Sequence, residues 1–354
     1  MSRRRFIGAT ASLALATIAS PSPAGGATKP SVGFNLTSWD TLANADVDRW
    51  KEAIDQLAGL GVRRVTIVPY WFLNPSDFGI SETSSTGFAR GPTTQVVGAS
   101  MRAARGYGMD VSLKPLIEID QEPFTWRGSL EVDGSSVGSF FESYSSWMSQ
   151  MAELAVQCDA SRLYIGSELA GLTQDPLTTK FWRKLIAELR SYFPNGRKPL
   201  SYAANYDEYT QVQFWDDLDE IGVDAYFPLS KKKRPLQSDL TLEALTEKWH
   251  APINRLHQFA EQWSRNVVLS EFGVPPYAAA LHQPWEWRLN KSERPNRDEG
   301  VQMRTIEALL ISIRDEAQWL TAVDLWHWKV PDSAPSEYDI DPNSPVSRLI
   351  QHAV

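Results

Sequence analysis

The sequence has almost no cysteine. Cys158 is the only one in 354 residues, so no internal disulfide can staple the chain. The fold must stand on its hydrophobic core, and 42% hydrophobic residues are enough to build one. Cys158 itself closes an apolar helical pattern and reads as a packed helix-end residue. Histidine is scarce as well. There are five, at His250, His257, His282, His327 and His352, with no His-Glu-x-x-His pattern and no Cys/His cluster. The usual signatures of a zinc enzyme or a structural zinc site are therefore missing, and neither metal nor cofactor is expected. Positive charge is in deficit, with 35 Lys and Arg against 43 Asp and Glu. An acidic balance argues against nucleic acid and anionic membranes as partners.

Long hydrophobic runs are also lacking, except near the start. Arg3-Arg4-Arg5-Phe6-Ile7 precedes an apolar stretch from Ala9 to Ala19, and small residues and prolines fill Pro21 to Ala27. A charged head, a short apolar run and a small-residue zone are the layout of an export signal. Paired arginines before Phe-Ile suggest the twin-arginine type. The run is shorter than the roughly 20 apolar residues a membrane-spanning helix needs. Residues 1–27 are thus expected to be a signal peptide handled by the twin-arginine export machinery. The mature protein is expected to be periplasmic or extracellular, without an integral membrane span. Cleavage after residue 26 would remove three arginines and no acid, leaving a net charge of −11.

What the remaining chain does have is alternation. Strand-like runs fall at Val32–Leu36, Arg64–Tyr70, Met109–Ile117, Arg162–Ser167, Pro199–Ala204, Glu220–Tyr226, Asn266–Ser270 and Ala322–His327. Several are rich in Val, Ile and Leu, as strands buried on both faces should be. Helical periodicity fills the gaps, over Asp46–Leu60, Thr93–Gly106, Ser139–Gln157, Pro176–Phe193, Gln211–Leu218, Leu240–Trp263, Arg297–Ala317 and Pro345–Ala353. Strand then helix, eight times, predicts an α/β fold of the (β/α)8 TIM-barrel type, one domain over 28–354. An open doubly wound sheet would carry a glycine-rich turn after its first strand, and Leu36-Thr37-Ser38-Trp39-Asp40 has none.

In such a barrel the chemistry lies at the C-terminal ends of the strands. Two glutamates stand there, Glu168 after the fourth run and Glu271 after the seventh, placed to face each other across the mouth. Paired carboxylates are the working parts of glycoside hydrolysis. One must keep a proton for the leaving oxygen and the other must be ionised to attack the anomeric carbon. Around them the strand ends supply Trp71, Glu118, Trp126, Arg127, Asn205, Tyr226, Trp326 and Trp328 as candidate sugar contacts. Fourteen tryptophans offer flat faces on which the C–H side of a sugar can stack. Tyr226 is also placed to hydrogen-bond Glu271.

Several short motifs then occur in one order: Leu113-Lys114-Pro115, Trp126-Arg127-Gly128, Tyr164-Ile165-Gly166-Ser167-Glu168-Leu169, and Ser201-Tyr202-Ala203-Ala204-Asn205. After them come Ile221 to Leu229, Ser270-Glu271-Phe272-Gly273 and Pro284-Trp285-Glu286-Trp287. In these segments the chain resembles glycoside hydrolase family 113, of clan A. The resemblance implies a retaining β-mannanase-like enzyme acting on a polysaccharide or oligosaccharide, with Glu168 as acid/base and Glu271 as nucleophile. It further implies that Asn205, Tyr226, Trp326 and Trp328 line the subsite beside the cleaved bond, and adds Lys114 and Trp285 to the candidate contacts. The chain departs from the pattern at Leu116, where a polar histidine is expected, with Glu118 or Asp120 as replacements for its contact. Ser167 stands where many clan relatives have asparagine, and Phe272 replaces a commoner aliphatic.

Other readings compete. A non-catalytic sugar-binding barrel would keep the aromatics and dispense with one carboxylate, whereas both are present. A β-glycosidase acting on another glycan would keep both. Gly134-Ser135-Ser136-Val137-Gly138 fits the G-x-S-x-G pattern of serine hydrolases, but the segment before it is short and polar, and reads as a loop leading to a serine-capped helix. Lys231-Lys232-Lys233-Arg234 reads as a solvated loop, or as a rim contact for an acidic polysaccharide.

Overall fold

Alternating apolar runs and amphipathic stretches produce eight parallel strands that close on themselves. The computed structural model describes residues 29–353 apart from 88, 122, 124, 194–197 and 287–296, so the expected signal peptide and Trp287 lie outside the described residues. The barrel strands are β1 (Ser31–Thr37), β2 (Arg64–Ile67), β5 (Asp110–Leu113), β7 (Arg162–Ser167), β8 (Leu200–Asn205), β9 (Glu220–Asp224), β10 (Asn266–Phe272) and β11 (Leu320–Lys329). They close in the order β1-β11-β10-β9-β8-β7-β5-β2. This is the expected (β/α)8 barrel. Its strands are buried almost throughout because helices cover the outside and side chains fill the inside.

Two strands depart from expectation for one physical reason. The runs 64–70 and 109–117 each divide, into β2 and β3 (Tyr70–Leu73), and into β5 and β6 (Leu116–Ile119). Pro69 and Pro115 sit at the breaks, and proline has no N–H to give to a ladder. The outer halves pair with each other, Tyr70 opposite Leu116, and with the short β4 (Ile80–Ser81), forming a three-stranded sheet beside the mouth.

The helices follow the pattern with small shifts. They are α1 (Val47–Gly59), α2 (Thr94–Gly106), α3 (Val137–Gln157), α4 (Ala170–Thr173), α5 (Thr179–Arg190), α6 (Leu242–Trp263), α7 (Glu299–Ser312) and α8 (Pro345–Ala353). Side chains of Asp46, Thr93 and Thr241 accept hydrogen bonds from the first-turn N–H groups of α1, α2 and α6. The helix expected over 211–218 shrinks to one 3-10 turn, Trp215–Asp217. There Phe214 and Trp215 are wholly buried and the Trp215 indole donates to the Tyr209 carbonyl, so core anchoring overrides the helical pattern. Ser136 precedes α3 but its side chain makes no capping bond, contrary to expectation, and no strand leads into the G-x-S-x-G segment, so the nucleophile elbow is not formed. Cys158 ends α3 and is buried, as expected. Among the described residues, no helix is long and apolar enough to cross a membrane.

The barrel floor is polar. Arg64 binds Asp324 through two parallel bonds of 2.7 and 3.0 Å, and Arg162 binds Glu220 likewise at 2.5 and 3.0 Å. Gly33 makes room for the first pair: a Cβ there would lie 2.6 Å from the Asp324 carboxylate. These fixed ion pairs close the bottom and leave the other end to the chemistry.

Candidate active site

Glu168 follows directly on β7 with a left-handed backbone, φ 52°. A non-glycine residue holds that conformation only where its surroundings impose it. Here its N–H donates to the Ala203 carbonyl at 2.8 Å, and the Leu169 N–H donates to the Tyr202 hydroxyl at 2.6 Å. The Tyr202 hydroxyl in turn donates to the buried Glu208 at 2.7 Å. Register slips in the β7/β8 ladder between Tyr164 and Ser167, just before the glutamate. A second slip, in the β9/β10 ladder between Leu269 and Glu271, precedes the other carboxylate. Such irregularities re-aim side chains and recur beside active sites.

The two carboxylates have different company. One oxygen of Glu168 accepts from the Arg127 guanidinium at 2.9 Å and from the Trp126 indole at 3.3 Å. Burial pushes the Glu168 carboxyl up to about 7; Arg127 opposes this and the Glu271 charge adds to it. It can therefore hold a proton near neutral pH. Glu271 accepts at both oxygens, from the Tyr226 hydroxyl at 2.7 Å and from the Lys114 ammonium. Burial and the Glu271 charge keep the Tyr226 phenol protonated, hence a donor. One carboxyl that keeps its proton and one that only accepts hydrogen bonds are the two roles glycoside hydrolysis needs.

The other expected contacts divide. Trp126 is partly exposed beside Glu168, and Trp326 lies at the mouth with the Lys114 ammonium 5.5 Å from its ring centre. Trp285 stacks on Tyr206, ring centres 5.1 Å apart, next to Asn205 at the end of β8. The Asn205 side-chain amide oxygen, Oδ1, accepts from the Tyr206 N–H at 2.8 Å. Lys114 is fully buried and bonded to Glu271, so it serves the carboxylate rather than a sugar. Glu118 pairs with Arg127 and thereby acts behind Glu168. Leu116 packs with Tyr70 and Trp326, and Glu118 and Asp120 are taken up by Arg127 and the Ser85 N–H, so neither replaces the missing histidine.

Trp71 and Trp328 are corrections. Trp71 points away from the mouth, its indole donating to the Pro92 carbonyl and its ring 6.1 Å from Trp147. Trp328 is wholly buried, edge-on to Phe34 at 5.2 Å. Between Leu325 and Trp328 the strand β11 gains a residue relative to β1, where Phe34 and Leu36 are the partners. That extra residue inverts the inward and outward alternation, so Trp326 and Trp328 do not share a face.

Three residues were not singled out from sequence. Asp224 ends β9, is fully buried, and accepts from the Ser270 hydroxyl at 2.8 Å and the Ser167 hydroxyl at 3.1 Å. Burial and the Glu271 charge push its carboxyl well up. Glu208, pushed up to about 7 by burial, holds the Asn205 N–H at 2.9 Å as well as Tyr202. Tyr206 supplies the platform under Trp285. A carboxylate ending a strand was the available signal for Asp224. Tyr206, an aromatic directly after β8, carried the same strand-end signal, whereas nothing local marks Glu208.

No curated protein matches the chain. Among solved structures it is similar to a complex of a family 113 β-1,4-mannanase, with a TM-score of 0.71 and 17% identity over 93% of this chain and 98% of that one. The family 113 β-mannanase of Alicyclobacillus acidocaldarius, in complex with ManMIm, gives 0.69 and 20% over 94% and 97%. An endo-β-1,4-mannanase of Thermotoga petrophila gives 0.56 and 11% over 93% and 77%. At these identities the likeness concerns the fold. Sequence carries the finer assignment, because the model of Glycoside Hydrolase Family 113 matches residues 39–341, a span that includes both carboxylates and every residue that holds them. With a barrel of that form and a family match over most of its length, the chain belongs to glycoside hydrolase family 113.

Proposed function

We propose that the protein hydrolyses β-linked mannan or manno-oligosaccharides with retention of configuration. Glu271 is the nucleophile and Glu168 the acid/base. The observation that carries this reading is the contrast at the mouth: a buried carboxyl pushed up to about 7 beside a carboxylate held by Lys114 and Tyr226. In the first step a Glu271 oxygen attacks the anomeric carbon, the glycosidic C–O bond breaks, and Glu168 gives its proton to the departing oxygen. In the second step Glu168 takes a proton from water, whose oxygen attacks the same carbon and releases Glu271. Trp126, Trp326 and the Tyr206–Trp285 pair present faces for sugar rings, and mannan is preferred because the similar family 113 structures are described as mannanases.

The test is activity on a panel of β-linked polysaccharides and oligosaccharides, mannan first, beside Glu168→Gln and Glu271→Gln. Wild-type cleavage is expected to fall by at least about 1000-fold in each variant. Cleavage of glucan or galactan with mannan untouched moves the substrate and keeps the reaction. Tight sugar binding without cleavage of any panel member would leave a binding protein. Export through the twin-arginine route, to the periplasm or beyond, is part of the same proposal. It rests on Arg3-Arg4-Arg5-Phe6-Ile7 and on a chain that needs no disulfide to fold.

A further inference from the structure

Asp224 is a costly residue to keep where it is. A fully buried carboxylate gives up its hydration, and a well-packed apolar side chain in the same space is often neutral or better for stability. What it touches is informative. One oxygen accepts from Ser270, the residue immediately before Glu271, and the other from Ser167, the residue immediately before Glu168. Strands β7 and β10 are not neighbours, because β8 and β9 stand between them in the barrel wall. No ladder bond therefore fixes the separation of their ends. Both ends are moreover where register slips. Lys114 lies 3.8 Å from Asp224 while bonding Glu271 and, at 3.3 Å, the Ser270 carbonyl, so the same ammonium ties Glu271 and the Ser270 backbone beside the bridge.

We propose that Asp224 is a positioning residue: through Ser167 and Ser270 it spans the barrel interior and sets the distance between Glu168 and Glu271. This rests on the assignment of those two glutamates. Distance decides the reaction course, since carboxyl groups about 5–5.5 Å apart permit a covalent intermediate whereas about 6.5–9.5 Å admits a water between. A displacement of about 1 Å can lower turnover by about 100-fold. The Ser167–Asp224–Ser270 bridge is a short, buried device for holding that interval.

The experiment is steady-state kinetics of the mature protein on mannan for Ser167→Ala, Ser270→Ala, Asp224→Asn and the combinations, with melting temperatures. Each serine variant is expected to lose about tenfold in kcat with KM within about threefold and a melting temperature close to wild type. Asp224→Asn is expected to lose about 100-fold. In that background the serine changes should add little, because they act through the same carboxylate. Should Asp224→Asn not fold, the serine variants decide. Unchanged kcat in both, additive losses in the combinations, or losses that only track the folded fraction would overturn the proposal. If Glu168→Gln and Glu271→Gln are inactive and the serine variants are not impaired, the spacing role alone fails. If Glu271→Gln stays active, the assignment beneath it fails first.

Discussion

In its proposed role as acid, Glu168 is a carboxyl group that must still hold its proton where most carboxyls have lost theirs. Burial is the main cause, the Glu271 charge helps, and Arg127 works against both. Since the acid must be protonated for the first step, kcat/KM is expected to fall as pH rises through about 7. Replacing Arg127 by Gln takes away the cation that favours the ionised form. Glu118, then without its neutralising partner, adds negative charge nearby. Both changes raise Glu168 further, so the alkaline limb of the kcat/KM profile should move to higher pH in Arg127→Gln. A limb that stays put or moves down would show that Arg127 does not set this proton affinity. Lys114 illustrates how a residue type can mislead at this scale. The family resemblance marks it as a sugar contact, yet its ammonium is buried and spent on Glu271.

At the scale of elements, irregularities in the strands place the site. Slips before Glu168, before Glu271 and beyond Leu325 break the two-residue period at three positions round the mouth. Gly273, just after β10, shows how closely these ends meet: a Cβ there would stand 2.4 Å from the Trp326 carbonyl and 3.1 Å from Tyr338. Gly273→Ala must therefore push the end of β11 outward. The expected cost is about 1–3 kcal/mol in stability, read from chemical denaturation. KM should rise at least threefold as Trp326 leaves its place. Wild-type stability together with wild-type KM would mean that the two strand ends are free to give way.

The whole molecule carries charge of two kinds. Its interior pairs are fixed, on the floor by Arg64 with Asp324 and Arg162 with Glu220, and at the mouth by Lys114 with Glu271 and Arg127 with Glu168. Its overall balance is acidic, and at the start three arginines precede the apolar run. For export this predicts a separation that charge alone would not give. Changing Arg3, Arg4 and Arg5 all to Lys keeps the positive head but removes the paired arginines. The wild type is expected in the exported fraction and the lysine variant inside the cell, by immunoblot of cell fractions. Export of both would indicate a general secretory signal instead.

The architecture was legible in the sequence because burial writes a period. Eight apolar runs alternating with eight helical patterns suffice for a barrel, and barrel geometry alone brings Glu168 and Glu271 to one mouth. Tyr226 on Glu271 follows from the same placement. Composition likewise settled that no disulfide frame could hold the chain. Other features depend on contacts between residues far apart in the chain, and no local pattern encodes those. Proline divides two strands, an extra residue turns Trp328 into the core, and Trp71 packs outward on Trp147. The Asp224 bridge joins positions 167, 224 and 270, of which the first lies two strands away from Asp224 in the barrel wall, and only the curvature of the folded sheet brings its hydroxyl within hydrogen-bonding distance. Sequence determined which residues are available at the strand ends. Tertiary structure decided which of them face the cleft and which face each other, because a period of two survives only until the first bulge.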